Sequence, residues 1–519
     1  MSGGGEYPTL SEGTDVTLKP LTPTIDPAAS APSRGTTNPT MRASKRGVRG
    51  WMLFDVATQP FSTLVLTFVF APYFTSLALT NESADAFLSS IGLGWTFDPS
   101  EANADEGPQA VWGYIVGAVG LLTAFIAPVL GAVADASGPR KPWIAFFAVL
   151  AILGSLGLWV VPPEASLDLV WWSVLAFAVA FFGFEFATVF NNAMMPTLVP
   201  RAELGRLSGN AWALGYVGGL VTLVIVLAFM SANPETGRTL FGFEPIFGLD
   251  AAQAEGDRAV GPFTAIWFAV FVLPLFVFTP DAPRAARESG AVRRGLRQLR
   301  QTLRTLPQQR SLFAYLGSSM LYRDALNGLY TFGGVYAAGV LGWSIILVGV
   351  FGIIAALIGA IGAWLGGKLD AARGPKFVVA LSIIALIIVT FTVATTDRTG
   401  VLFMEVGGAL PDLSVTLPLL GTLQTPDLAY FLCGTVIGAA GGALQAASRT
   451  LLVDQADPAR MTEAFGLYAL SGKATSFLAP VLVALVTSLS ASQSIGVLPL
   501  VALFALGLAL LPFVKGRPV

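Results

Sequence analysis

Gly131-Ala-Val-Ala-Asp135-Ala-Ser-Gly138-Pro139-Arg140-Lys141 returns later in the chain as Gly366-Gly-Lys-Leu-Asp370-Ala-Ala-Arg373-Gly374-Pro375-Lys376. Each copy follows one long apolar stretch and precedes another, and each closes the second such stretch of its half. Gly and Asp stand four apart in both, and both end in Gly-Pro and a cation. The first Gly lets two helices approach closely at a membrane edge. Gly-Pro stops a helix and forces a tight turn. The Asp and the Arg or Lys can then pair or meet a helix end. Any short loop between two spans could look like one copy. Two copies, placed alike in each half, mark a duplicated, transporter-like helical bundle.

Composition supports the same reading. Of 519 residues, 54% are hydrophobic and 12% charged, and the mean hydropathy is +0.69. A soluble domain carries about twice that charge, so the bulk of the chain must sit in lipid. The net charge of −2 selects no class of partner. The single cysteine, Cys433, lies in an apolar stretch, so no intramolecular disulfide can form. There is no histidine. That excludes His-based metal sites, His general bases and His proton relays, and leaves proton handling to carboxylates.

Residues 1–45 are rich in Gly, Pro, Ser and Thr, with no apolar run; they read as a disordered cytoplasmic tail and not as a signal peptide. Arg42, Lys45, Arg46 and Arg49 precede the first span and place the N-terminus inside. Twelve spans follow, at about 51–75, 110–134, 143–162, 169–192, 207–230, 260–280, 311–340, 344–369, 376–396, 427–450, 464–488 and 494–514. An even number returns the C-terminus, with Lys515 and Arg517, to the cytoplasm. The outer loops hold only Arg238, Arg258 and Arg398 of the thirty cations. Arg323 and Lys473 fall inside spans and the others are assigned to the cytoplasm, an asymmetry that favours both termini inside. The first outer loop is acidic (Glu82, Asp85, Asp98, Glu101, Asp105, Glu106) and reads as a solvated loop. Outer segments 239–250 and 401–424 are too apolar for plain loops and too broken by Gly and Pro for spans.

The expected organisation is the tail, a six-helix bundle over 46–280, an Arg-rich linker over 281–310 and a second six-helix bundle over 311–519. In the linker Val292, Leu296, Leu299, Leu303 and Leu306 recur every three or four residues, with Arg293, Arg297, Arg300 and Arg304 between them. This is an amphipathic helix, lying along the inner membrane surface or bracing the bundles.

Ionisable residues inside a span are costly and should face a polar cavity or a partner. Asp55 is in span 1, Glu185 in span 4, Arg323 and Asp324 in span 7, and Lys473 in span 11. Asp55 and Asp324 occupy related places in the two halves. Gln59 follows Asp55 by one turn, Asn327 follows Arg323 by one turn, and Asn192 follows Glu185 by two, so each pair shares a helix face. Each charge also has a structural reading, as a fixed ion pair or a boundary residue whose head reaches water, the latter especially for Asp55. Glu185, flanked by Phe, is the first choice for proton coupling, because a carboxyl in apolar surroundings can exchange a proton near neutral pH. Arg323 can bind an anionic substrate or pair with Glu185. Gly434, Gly438 and Gly442, and Gly113 and Gly117, form small-residue rows expected to be close-packing faces. No phosphate-cradling loop, metal cluster or nucleophile elbow is present, so transport would draw on a gradient.

The repeated motif resembles the signature of the major facilitator superfamily. Further stretches resemble a narrower branch, the autophagy-related vacuolar amino-acid effluxer family and its bacterial relatives. They are Trp51-Met-Leu-Phe54-Asp55-Val-Ala57; Phe190-Asn-Asn-Ala193-Met-Met-Pro196; Gly215-Tyr216-Val-Gly218-Gly219; Tyr322-Arg-Asp324 with Phe332-Gly-Gly-Val-Tyr336-Ala-Ala-Gly339; and Ser448-Arg449 with Phe465-Gly466-Leu-Tyr468-Ala-Leu-Ser471-Gly472-Lys473-Ala-Thr-Ser476. The resemblance implies an all-α membrane protein of twelve transmembrane helices in two pseudo-symmetric six-helix bundles, the major facilitator fold, with a central cavity worked by alternating access. It implies small-solute transport, often of amino acids. The sequence departs from the branch at Thr58-Gln59-Pro60, where Asn-Ser-Ala is usual, and at Arg323, where Asn is usual.

The resulting expectation is a secondary transporter, not an enzyme, in a bacterial inner membrane. It carries a small polar or anionic metabolite and is proton-coupled. Its partners are that solute, a proton or other coupling ion and the bilayer, without nucleic acid, cofactor or metal, and it acts as a monomer. Substrate and proton coupling are expected at Asp55, Gln59, Glu185, Asn192, Arg323, Asp324, Asn327 and Lys473. Gating is expected at Gly131, Asp135, Gly138, Arg140, Lys141, Gly366, Asp370, Arg373, Gly374 and Lys376. The alternatives are an exporter of amphipathic compounds, favoured by the 36 Phe, or a transport-dead receptor or assembly factor on the same scaffold.

Overall fold

A computed structural model describes Gly3 and residues 43–96, 106–282, 290–417 and 421–516. Most of the expected tail lies outside these residues, as do Asp98, Glu101, Asp105, linker residues 283–289 and Arg517. Everything below belongs to the unit Arg42–Val519.

Eleven helices among the described residues are long and apolar enough to cross a membrane. The first six are α1 (Lys45–Ala78), α2 (Gly107–Ser137), α3 (Lys141–Val160), α4 (Leu167–Leu198), α5 (Arg201–Phe229) and α6 (Glu255–Phe278). Next comes α7 (Arg310–Gly339), 30 residues long. Ser318, Ser319, Arg323, Asp324 and Asn327 lower its apolarity and set it apart from the others. The remaining five are α8 (Ile346–Arg373), α9 (Pro375–Ala394), α10 (Thr425–Gln455), α11 (Pro458–Ser490) and α12 (Gln493–Phe513). At 1.5 Å per residue, even the shortest is about 30 Å long, enough for a hydrocarbon core.

The packing repeats with a step of six helices. α1 lies on α6 as α7 lies on α12, and α3 on α4 as α9 on α10. The same holds for α3 on α6 and α9 on α12, and for α2 on α4 and α8 on α10. Contacts also cross between the set α1–α6 and the set α7–α12: α2 with α11, α5 with α8 and α10, and α4 with α11.

Both motif turns use their Gly alike. Gly138 has φ +96° and Gly374 φ +83°, a left-handed backbone that a side chain would strain. α9 then starts on Pro375, whose missing N–H is no loss at a first helical position.

The two glycine rows divide. A Cβ on Gly438 or Gly442 would run into the carbonyl oxygens of Ala355 or Gly359 on α8, and one on Gly434 into the Phe351 ring. That row is the α8–α10 seam. Among the described residues, nothing lies within 4 Å of a Cβ built on Gly113 or Gly117, so this part of the expectation is overturned: neither position is a close helix contact.

The segment 401–424 contributes to two short antiparallel hairpins, Gly400–Val401 with Met404–Glu405 and Ser414–Leu417 with Gly421–Gln424. Segment 239–250 is irregular around a 3₁₀ turn at Ile246–Gly248. The linker forms the expected helix, Ala291–Thr305. It braces α2, where a Cβ on Gly295 would lie 2.9 Å from Val133, and Thr302 accepts a hydrogen bond from Arg460 at 3.1 Å.

Candidate functional site

The site begins with a defect in α1. Pro60 has no N–H to give to the carbonyl of Val56, one turn back. The indole of Trp267 on α6 donates to that carbonyl instead, at 3.0 Å. Beyond Pro60 the helix widens into a π-helical stretch, Phe61–Phe68, with Val69 N–H bonded to the Leu64 carbonyl. Such widened turns gather at functional positions. Here Gln59, Ser62 and Thr67 line a cavity of about 500 Å³.

Seven of the eight expected substrate and coupling residues line that cavity: Asp55, Gln59, Glu185, Asn192, Arg323, Asn327 and Lys473. Asp324 does not. It turns the other way, and its carboxylate accepts from the Ala479 N–H at 3.0 Å. There α11 is broken into Met461–Ala474 and Leu478–Ser490. Asp324 caps the buried start of the second segment by taking the Ala479 N–H, and its anion suits a helix N-terminus.

The residue that organises the cavity was placed among the cytoplasmic cations. Arg449 is on α10, only 2% exposed, and reaches three helices of the other set. It donates to Asp55 at 2.9 Å and Asn192 at 3.1 Å, and to the Ser208 hydroxyl and carbonyl at 3.1 and 3.0 Å. Its guanidinium also lies 4.7 Å from the centre of the Trp212 ring. Asp55 is therefore no boundary residue reaching water; it is 7% exposed and held by Arg449. The sequence did carry a signal. Arg449 falls within the apolar stretch 427–450, where an arginine demands a partner.

A second ion pair spans the cavity. Lys473 of α11 lies 3.3 Å from Glu185 of α4. This overturns the Glu185–Arg323 pairing. Arg323 instead donates to the Tyr468 carbonyl at 2.9 Å, with its guanidinium 4.1 Å from that ring's centre. Among the described residues it has no carboxylate partner. The cavity thus holds three cations and two carboxylates.

The motif turns join helices of the two sets. Asp135 accepts from the N–H groups of Thr462 and Glu463, at 3.2 and 2.8 Å, in the first turn of Met461–Ala474, and from Arg140 at 3.2 Å. A Cβ on Gly131 would lie 2.5 Å from the Thr462 carbonyl oxygen. In the second copy Asp370 is buried against Gly205 of α5 and accepts from Thr450. Gly367, beside Gly366, meets Gly209 backbone to backbone. Lys141 donates to the Phe276 carbonyl near the end of α6 at 3.0 Å, and Lys376 to the Val514 carbonyl just past α12 at 2.7 Å. Both are cations at helix C-termini, as the dipole favours. Arg373 lies over the Phe377 ring.

Away from the motif turns, a second cavity of about 440 Å³ adjoins the first across Tyr216 and Tyr330, which line both. Its walls include Phe68, Val348, Phe351 and Ile437.

The family described as "Vacuole effluxer Atg22 like" matches residues 109–517. The chain belongs to the Atg22-like family. A relative, the uncharacterized MFS-type transporter YxiO of Bacillus subtilis (strain 168), is 24% identical over 476 residues, covering 91% of this chain and 96% of that protein. Solved structures share the fold of this Atg22-like chain at low identity. The human organic anion transporter MFSD10 matches with a TM-score of 0.62 at 15% identity, covering 90% of this chain and 99% of that one. FucP in its outward conformation matches at 0.60 and 11%, with the same coverage. The proton:xylose symporter XylE matches at 0.58 and 14%, covering 91% and 95%. The protein is a multi-pass membrane protein with the major facilitator fold, and a secondary transporter.

Proposed function

We propose that this transporter moves a small polar or anionic metabolite, an amino acid or similar solute, by proton-coupled alternating access. The observation that carries this reading is the cavity's charge: Asp55–Arg449 and Glu185–Lys473 each join helices of opposite sets, and Arg323 is left as an unbalanced cation. A net-anionic solute completes that balance, and the planar guanidinium suits a carboxylate or phosphate. Glu185, 32% exposed into the cavity, is the group that exchanges the coupled proton. We take α1–α6 and α7–α12 as two six-helix bundles in a bacterial inner membrane, acting as a monomer with both termini inside. The motif turns then form the cytoplasmic gate.

The test is solute uptake into proteoliposomes, with and without a pH gradient. A pH gradient should drive accumulation of an anionic or zwitterionic solute. Glu185→Gln should abolish that accumulation while keeping solute exchange. Accumulation that survives Glu185→Gln moves the proton to another group, and absence of uptake for every solute favours a receptor or assembly factor. The apolar second cavity favours one further reading, an exporter of amphipathic compounds, which dye efflux would reveal.

A further inference from the structure

The Ala291–Thr305 helix presents more than the face that braces α2. At 100° per residue its side chains fall into four stripes. Gly295, Leu299 and Thr302 form one stripe and are buried against the protein. Gln301 and Thr305 turn toward a cavity they share with Arg460 and Glu463. The other two stripes adjoin each other and face away from the protein. One is apolar: Val292, Leu296 and Leu303 are 59%, 46% and 48% exposed. The next holds Arg293, Arg297, Arg300 and Arg304, all exposed and, among the described residues, without a carboxylate within 4 Å.

An exposed apolar stripe beside four unneutralised guanidinium groups fits the boundary between acyl chains and anionic headgroups. The location agrees. The helix docks beside Ala132 and Val133, in the last turns of a membrane-spanning helix, where headgroups begin. A soluble acidic partner would account for the arginines but not for the adjacent leucines. We propose that this helix is an anionic-phospholipid site, with the four arginines on headgroup phosphates and Val292, Leu296 and Leu303 against the acyl chains.

The experiment titrates phosphatidylglycerol or phosphatidylcholine into the full-length, detergent-solubilised protein and follows thermal unfolding. Phosphatidylglycerol should raise the apparent Tm well beyond phosphatidylcholine. Each arginine near an anionic surface is worth about 1 kcal/mol, or roughly fivefold. Changing all four to Gln should therefore raise the half-saturating lipid concentration by roughly a hundredfold or more, with transport and the lipid-free Tm unchanged. If that variant misfolds, wild type still decides, because the phosphatidylglycerol increment must shrink in high salt. Changing Val292, Leu296 and Leu303 to Ser should also weaken the increment. An increment kept by the four-arginine variant, or insensitive to salt, overturns the proposal. So does an equal increment from inorganic phosphate or heparin, which would mark a general anion surface.

Discussion

Removing Arg449 tests the heart of the cavity. Arg449→Ala strips four donated hydrogen bonds from Asp55, Asn192 and Ser208 and leaves the Asp55 carboxylate with no cation in a place that is 7% exposed. Breaking a buried pair from one side typically costs about 3–5 kcal/mol. At about 2 °C per kcal/mol for a large protein, the apparent Tm should fall by roughly 6–10 °C. Asp55→Asn is milder, because Arg449 keeps its bonds to Asn192 and Ser208. The decisive variant carries both Asp55→Asn and Arg449→Ala. It leaves no unpaired charge and should recover at least half of the Arg449→Ala loss, a coupling of about 2 kcal/mol. Thermal unfolding of the four proteins in one detergent reads the cycle. A drop of less than about 2 °C for Arg449→Ala, or a double variant no better than Arg449→Ala, would refute the reasoning.

Asp135→Asn removes the charge from the first turn of Met461–Ala474 but keeps its shape; turnover should fall several-fold while KM stays within a few-fold, measured by initial uptake rates. Arg323→Lys loses the planar stack on Tyr468 and the two-pronged donor; KM for anionic solutes should rise about tenfold with Tm unchanged, whereas a cationic transported solute would rule out the role. Gly438→Val should lower Tm by several degrees because its Cβ meets the Ala355 carbonyl, and Gly117→Val should leave Tm unmoved; equal effects would contradict the seam.

Much of the fold was legible because lipid imposes simple rules. Apolar length located the spans, and the paired Gly-x-x-x-Asp turns gave the repeat before any packing was known. The cavity was legible where helical spacing decides, as for Gln59 one turn after Asp55 and Asn192 two turns after Glu185. What spacing cannot give is the partner across the cavity. Glu185 chose Lys473 over Arg323 because α11 brings Lys473 within 3.3 Å, while Arg323 is retained by Tyr468. Asp324 looked equivalent to Asp55, but the break in α11 left the Ala479 N–H without a helical partner, and Asp324 turns to it. Arg449 was missed because a cation near the end of a span was assigned to the cytoplasm.

The segment Met461–Ala474 carries a consequence of its own. Its first turn sits on Asp135, and Lys473, at its other end, reaches Glu185. Between Met461 and Lys473 it is a rod of about 18 Å, unbroken by proline. Beyond Ala474 the helix is interrupted before the segment that Asp324 holds. A solute that competes with Glu185 for Lys473 pulls on one end of a stiff lever whose other end is seated in the motif turn. If the motif turn gates as proposed, occupancy of the cavity and the fit of that gate would be a single mechanical coordinate.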